Sequence, residues 1–189
     1  MACSEAPPFQ DLSSIAIIGA GAAGRHFAAT CLRAGLHVIL EDVMPANLRR
    51  AQADLSPSPG VLTLVSTVED AVRNADVAID FVPDELESKL EIFSMMDRMA
   101  PPRTILCTPT EALSITDLAS CVYRPDLCFA LRGLPFLSAS AHGAHLDLLY
   151  PPSASPESLS AVGGLLLRLG FESHAMADPE IPMLVKNSA

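Results

Sequence analysis

Apolar residues along this chain come in short, nearly unbroken runs at 14–18, 37–40, 61–65, 77–82, 104–107 and 127–131. Continuous rather than alternating apolarity is the pattern of strands covered on both faces, as in a parallel sheet. Between the runs lie stretches with helical spacing. One follows residue 24 and ends near Ala34-Gly35, and another starts at Pro45 with Leu48 on its inner face. The spacing predicts a short helix over 68–73. A longer helix follows Asp84, which stands as N-cap with Glu87 three residues on, and carries Leu86, Leu90, Phe93 and Met96 as its apolar stripe. Pro101-Pro102 ends it, and a further short helix is expected over 113–120. Ser56-Pro57-Ser58-Pro59-Gly60 is a chain breaker. Beyond residue 131 the alternation weakens to a small-residue loop at 138–143, a strand at 146–150, a helix opened by Ser155-Pro156-Glu157 and closed by Gly170, and an edge strand at 171–177. Strand and helix alternate throughout, so the expected fold class is α/β, a Rossmann-type doubly wound, mostly parallel sheet with helices on both faces. The expected division is an extension at 1–13, one domain at 14–178 and a tail at 179–189.

The first strand runs straight into Gly19-Ala20-Gly21-Ala22-Ala23-Gly24, and the second ends at Glu41-Asp42. A glycine triplet alone says little. A triplet between an apolar strand and a helix, with an acid closing the next strand, is the dinucleotide-binding pattern. Gly19 allows the tight turn, Gly21 lets a pyrophosphate approach the backbone, and Gly24 lets helix and strand pack closely. The helix N-terminus then offers free N–H groups and partial positive charge to phosphate. Asp42 lies 18 residues past Gly24, near the distance at which an acid receives the adenosine ribose hydroxyls, and no Arg follows within six residues to hold a 2′-phosphate. NAD is therefore expected in preference to NADP.

Composition narrows the partners. The chain has 189 residues, half of them apolar, and a formal charge of −10, which argues against nucleic acid and against an anionic membrane surface. Five cysteines without a C-x-x-C pair read as reduced, mostly buried thiols, and no apolar run reaches membrane-spanning length, so a cytoplasmic setting is expected.

From Ile15 to about Tyr150 the chain resembles the NAD-binding N-terminal domain of 3-hydroxyacyl-CoA dehydrogenases. The likeness rests on 15–21, on Val38-Ile39-Leu40-Glu41-Asp42, on the run from Ala75 to Lys89, and on Leu113-Ser114-Ile115-Thr116-Asp117-Leu118-Ala119 after a Thr-rich turn. The resemblance implies hydride transfer between NAD and a 3-hydroxyacyl or related hydroxy-acid substrate, in fatty-acid metabolism. It also implies cofactor roles for Asp84 and Lys89 at the nicotinamide ribose. The cofactor set is thus Gly19, Ala20, Gly21, Ala22, Ala23, Gly24, Asp42, Val82, Pro83, Asp84, Lys89 and Thr108.

The chain also departs from that pattern. Arg132 stands where the family places its catalytic histidine, and Leu148 where it places the partner glutamate. The substrate-contacting Asn-Thr-Ser-Ser turn reads Pro109-Thr110-Glu111-Ala112, and the hairpin used for coenzyme A has shrunk to 55–60. The chain stops soon after Asp178-Pro179, where the family's helical domain would begin. The resemblance therefore implies a homodimer, or a partner chain supplying that domain. Candidates for chemistry are Arg132, as an anchor for an acidic substrate, Glu111, and a displaced dyad of Asp147 with His142 or His145. No third ligand lies near the two histidines, so no metal is expected. Cys107 reads as a buried hydrophobe and Met95, Met96, Met99 and Met176 as filling. Two functional readings stand: an NAD-dependent oxidoreductase, or a catalytically silent NAD(H)-binding module acting as redox sensor or partner scaffold.

Overall fold

The computed structural model describes Phe9, residues 12–135 and residues 145–178. Eight strands form one sheet in the order β3-β2-β1-β4-β5-β6-β7-β8. The strands are β1 (Ser14–Ile18), β2 (His37–Glu41), β3 (Val61–Val65), β4 (Val77–Asp80), β5 (Ile105–Pro109), β6 (Cys128–Arg132), β7 (His145–Tyr150) and β8 (Glu172–Ala177). All neighbours run parallel except β6 and β7, which are antiparallel with Arg132 opposite Asp147. The helices are α1 (Ala22–Arg33), α2 (Pro45–Leu55), α3 (Val68–Val72), α4 (Leu86–Met99), α5 (Ile115–Ala119) and α6 (Pro156–Arg168). The mostly parallel, doubly wound sheet expected from the runs is what forms.

The sheet divides the core into two layers. Ile15, Ile17, Val38 and Leu40 pack with Phe27, Cys31, Ala51 and Leu55 of α1 and α2 and with Val162, Leu165 and Leu166 of α6. Ala16, Ile18, Ile39 and Ala78 pack on the other face with Val68, Phe93, Met96 and Leu118 of α3, α4 and α5. Alternate residues of one strand thus feed opposite layers, which is why the runs had to be apolar throughout. Gly35, at φ 76°, turns the chain after α1. Ser155 caps α6 by accepting the N–H of Ser158 at 3.0 Å.

Two local expectations are corrected. Helix α4 takes Glu85, not Asp84, as its N-cap, with no side-chain capping bond, so the expected capping box does not form. Its inward stripe is Lys89, Ile92, Phe93 and Met96, while Leu86 and Leu90 are only partly buried. The reason for the rotation is ionic. Asp80, ending β4 under this helix, is fully buried and draws Lys89 inward, its Nζ donating to Asp80 Oδ1 at 2.7 Å.

Candidate functional site

In an open α/β sheet the ligand crevice lies beyond the carboxyl ends of the strands, where the strand order reverses. Here that point lies between β1 and β4. Gly19 takes φ 102°, in the region that glycine alone enters freely, and donates its N–H to Glu41 O at 2.9 Å. A Cβ on Gly24 would stand 1.9 Å from Gly19 O, so the turn and α1 interlock only with glycine there. Gly21 is the N-cap of α1, no side chain caps that helix, and a Cβ on Gly21 would meet nothing within 4 Å. The first-turn N–H groups of residues 22–24 therefore face open space above the turn.

Two clefts flank this turn and share Phe81, Val82 and Pro83. The larger, about 540 Å³, is walled by Val68, Ile92 and Met95 and carries Gly19, Gly21, Glu41, Asp42 and Asn47. The smaller, about 380 Å³, is lined by Ala23, Asp84, Pro109, Thr110 and Glu111. Joined along the shared Phe81, Val82 and Pro83, they form one trench across the glycine turn. Asp42 at the first is already well occupied. Its Oδ2 accepts the Ala20 N–H and the Asn47 amide, both at 2.9 Å, and its Oδ1 accepts the Met44 N–H at 2.7 Å. This carboxylate braces the glycine turn against the start of α2, which also takes up the Ala20 N–H.

Beside it, Glu41 ends β2 on the opposite face from Leu40, is 3% exposed, and has an Oε1 with no hydrogen-bond partner. Burial first, then the neighbouring Asp42 charge, pushes its carboxyl up to about 7, which the nearby Gly19 N–H only partly offsets. Sequence reading passed over Glu41, because an acid next to the ribose-binding position looks like part of the same signal.

Two model families match the chain. The 3-hydroxyacyl-CoA dehydrogenase NAD binding domain matches residues 56–132. A family described as NADP oxidoreductase, coenzyme F420-dependent, matches residues 14–88. A probable 3-hydroxybutyryl-CoA dehydrogenase of Bacillus subtilis (strain 168) is 32% identical over 178 residues, covering 85% of this chain and 61% of that protein. Over residues 56–132 the chain is thus similar to the NAD binding domain of 3-hydroxyacyl-CoA dehydrogenases. The 5-formyl-3-hydroxy-2-methylpyridine 4-carboxylate 5-dehydrogenase of Mesorhizobium japonicum is 27% identical over 191 residues, covering 93% of this chain and 60% of that protein. Among solved structures, (S)-3-hydroxybutyryl-CoA dehydrogenase from Ralstonia eutropha superposes with TM-score 0.78 at 20% identity, covering 89% of this chain and 65% of the other. The chain spans about 60% of the length of these two curated relatives.

The dehydrogenase-type domain arranges its other predicted residues unevenly. Lys89 lines neither cleft, being buried against Asp80. Thr108 is fully buried, its hydroxyl donating to Pro109 O at 3.5 Å, and Asp80 Oδ2 has no hydrogen-bond partner. The strongly desolvated Asp80 carboxyl is pushed upward, an effect Lys89 opposes. Asp84 Oδ2 accepts the Glu111 N–H at 2.9 Å, and Glu111 Oε1 accepts the Gly133 N–H at 3.2 Å. These two bonds tie the loops after β4, β5 and β6 around the smaller cleft. Glu111 is thus a tie rather than a merely solvated turn residue.

Arg132, at the histidine position, is half-buried with an unpartnered, buried Nε. Leu148 is 1% exposed in the core. Asp147 meets His174 of β8, Nδ1 to Oδ1 at 3.8 Å, a pairing sequence reading did not consider. The expected dyad falls partly outside the described residues, which exclude His142 and the side chain of His145. Cys107 is buried and its thiol is pushed up to about 12 by burial, next to the Asp80 charge, so it stays protonated and inert. Met96 is buried, Met95 walls the larger cleft, and Met99 and Met176 are exposed. No helix among the described residues is long and apolar enough to cross a membrane.

Proposed function

We propose that this chain binds NAD(H) along the trench, adenosine beside Glu41 and Asp42, pyrophosphate over the N-terminus of α1, and nicotinamide beside Pro109, Thr110 and Glu111. It serves as the cofactor half of a dehydrogenase for a 3-hydroxyacyl or related hydroxy-acid substrate. The observation that carries this reading is the open floor at Gly21, where an uncapped helix N-terminus meets two clefts. NAD is preferred to NADP, since no Lys or Arg among the described residues lines the larger, adenosine cleft and three acids, Glu41, Asp42 and Glu91, do. Calorimetry with NADH tests it. Gly21→Val has room within the protein, so it should leave stability intact while its side chain fills the pyrophosphate position. An affinity loss of about 100-fold or more is expected, and equal affinity in parent and variant overturns the reading.

Arg132 and Leu148 favour a second reading of the chain by itself, as a catalytically silent NAD(H)-binding module that senses redox state or scaffolds a partner. A positioned general base contributes about 10²- to 10⁴-fold, and a guanidinium stays protonated throughout the working pH range. The half-buried Arg132, with its free Nε, suits a substrate carboxylate or phosphate instead. Turnover then needs a helical half, from a longer protein, a second copy or a partner chain. The buried thiols of Cys31, Cys107 and Cys128 suit a reducing, cytoplasmic setting. A steady-state assay of NADH formation with 3-hydroxyacyl-CoA and the purified chain decides between the readings. No turnover is expected, and rates in the range of about 1–10³ s⁻¹ would restore the enzyme reading for the chain alone.

A further inference from the structure

We propose that Glu41 recognises the adenine ring of the cofactor, its carboxylic acid making a paired hydrogen bond with the ring's donor–acceptor edge. The proposal rests on the cofactor reading above and adds a residue to it. Glu41 closes β2 on the face of Ile39, in the layer that holds Val68, Ile92 and Phe93, and so forms part of the floor of the adenosine cleft. Its neighbour Asp42 lines the same cleft but is already engaged by three internal donors. Glu41, in contrast, is nearly fully buried with one oxygen unpartnered. A buried, unsatisfied polar group is costly, and a ligand that completes it recovers that cost. The apolar walls of Val68, Val82, Ile92 and Met95 suit the faces of a flat heteroaromatic ring, which leaves only its polar edge to be matched.

The charged surroundings decide which protonation state does the matching. Asp42 follows Glu41 on the chain, and Glu91 of α4 lines the same cleft. Helix α3 turns Val68 inward and keeps Glu69, Asp70 and Arg73 exposed. β1 and β3 present Ile18 and Val65 beside it, and Lys89 of α4 is spent on Asp80. No cation lines the cleft. The free protein therefore carries Glu41 half-protonated near pH 7, and an adenine lid removes more water and favours the neutral acid further. The acid's O–H donates to a ring nitrogen while its carbonyl oxygen accepts from the exocyclic amine. Binding accordingly takes up a proton, and NAD(H) affinity falls as pH rises through 7 and beyond.

The test is calorimetry of NADH and of ADP-ribose from pH 6 to 8.5, each in two buffers of different ionisation enthalpy so that proton uptake is read without any variant. The dinucleotide itself has no group that titrates in this window. The intact chain should bind both ligands roughly tenfold more weakly at pH 8.5 than at pH 6, with net proton uptake at pH 8. Glu41→Gln, whose amide offers the same donor and acceptor, should bind at pH 8.5 about as tightly as the parent does at pH 6, without pH dependence. Glu41→Leu should bind more weakly than the glutamine variant at every pH. The assignment falls if NADH binds without proton uptake, if the glutamine variant keeps the pH dependence, or if ADP-ribose, which lacks nicotinamide, does not share it. In those cases the cofactor reading stands. If neither ligand binds at any pH, both fall together.

Discussion

The two ends of the trench share Phe81, Val82 and Pro83 but depend on different kinds of structure. The larger cleft is framed by backbone: a glycine turn at positive φ, an uncapped helix, and an Asp42 carboxylate that braces both. Its geometry cannot change without disturbing the start of the sheet. The smaller cleft is framed by loop ties, Asp84 to Glu111 and Glu111 to Gly133. Such ties can be exchanged with little consequence for the fold. The strands that carry Arg132 and Leu148 pair in register, Arg132 opposite Asp147 and Leu148 opposite Leu131.

The largest effect on stability should come from beneath the trench and touch neither end directly. Lys89→Met strands the Asp80 charge in the core, and a loss of about 3–5 kcal/mol is expected by denaturant unfolding. A smaller loss would mean that Asp80 is already neutral when paired.

Asp42→Ala should follow, at about 1–3 kcal/mol, because it frees the Ala20 and Met44 N–H groups and the Asn47 amide together. It should also weaken NADH more than tenfold by loosening the turn. If affinity falls with stability unchanged, Asp42 acts on the ribose alone and not on the turn.

Glu41 sets the pH dependence of the larger cleft. Its folded-state pKa is raised, to about 7, so the folded chain holds this proton more tightly than the unfolded one. Stability from this group is greatest below the ordinary glutamate pKa, declines as pH rises to about 7, and is level above that. Glu41→Gln should therefore stabilise the protein at pH 8 by on the order of 1–3 kcal/mol and change little at pH 4. Thermal melts at the two pH values measure it, and an equal shift at both would refute the assigned titration.

Glu111→Ala should do least. It unties one exposed loop from Gly133, at under about 1 kcal/mol, and should leave ADP-ribose affinity unchanged. Lost ADP-ribose binding in this variant would show the two ends to be coupled after all.

The order of strands and helices and the glycine turn were legible in the residues alone. These features are local: continuous apolar runs and a three-glycine spacing between strand and helix. What only the tertiary structure decided is which partner each polar side chain takes. Lys89 looked like a cofactor contact until Asp80, nine residues earlier, was seen beneath the same helix. Asp84 looked like a helix cap until the β5 loop brought Glu111 to it across 27 residues. Asp147 looked like a partner for its neighbouring histidines, and the sheet set His174 beside it. Glu41 and Asp42 are adjacent in sequence and line the same cleft, yet the fold satisfies the Asp42 carboxylate with three donors and leaves Glu41 Oε1 with none. Periodicity places elements because backbone geometry repeats. Partner choice is settled only when chain segments distant in sequence close around a buried group that water can no longer satisfy.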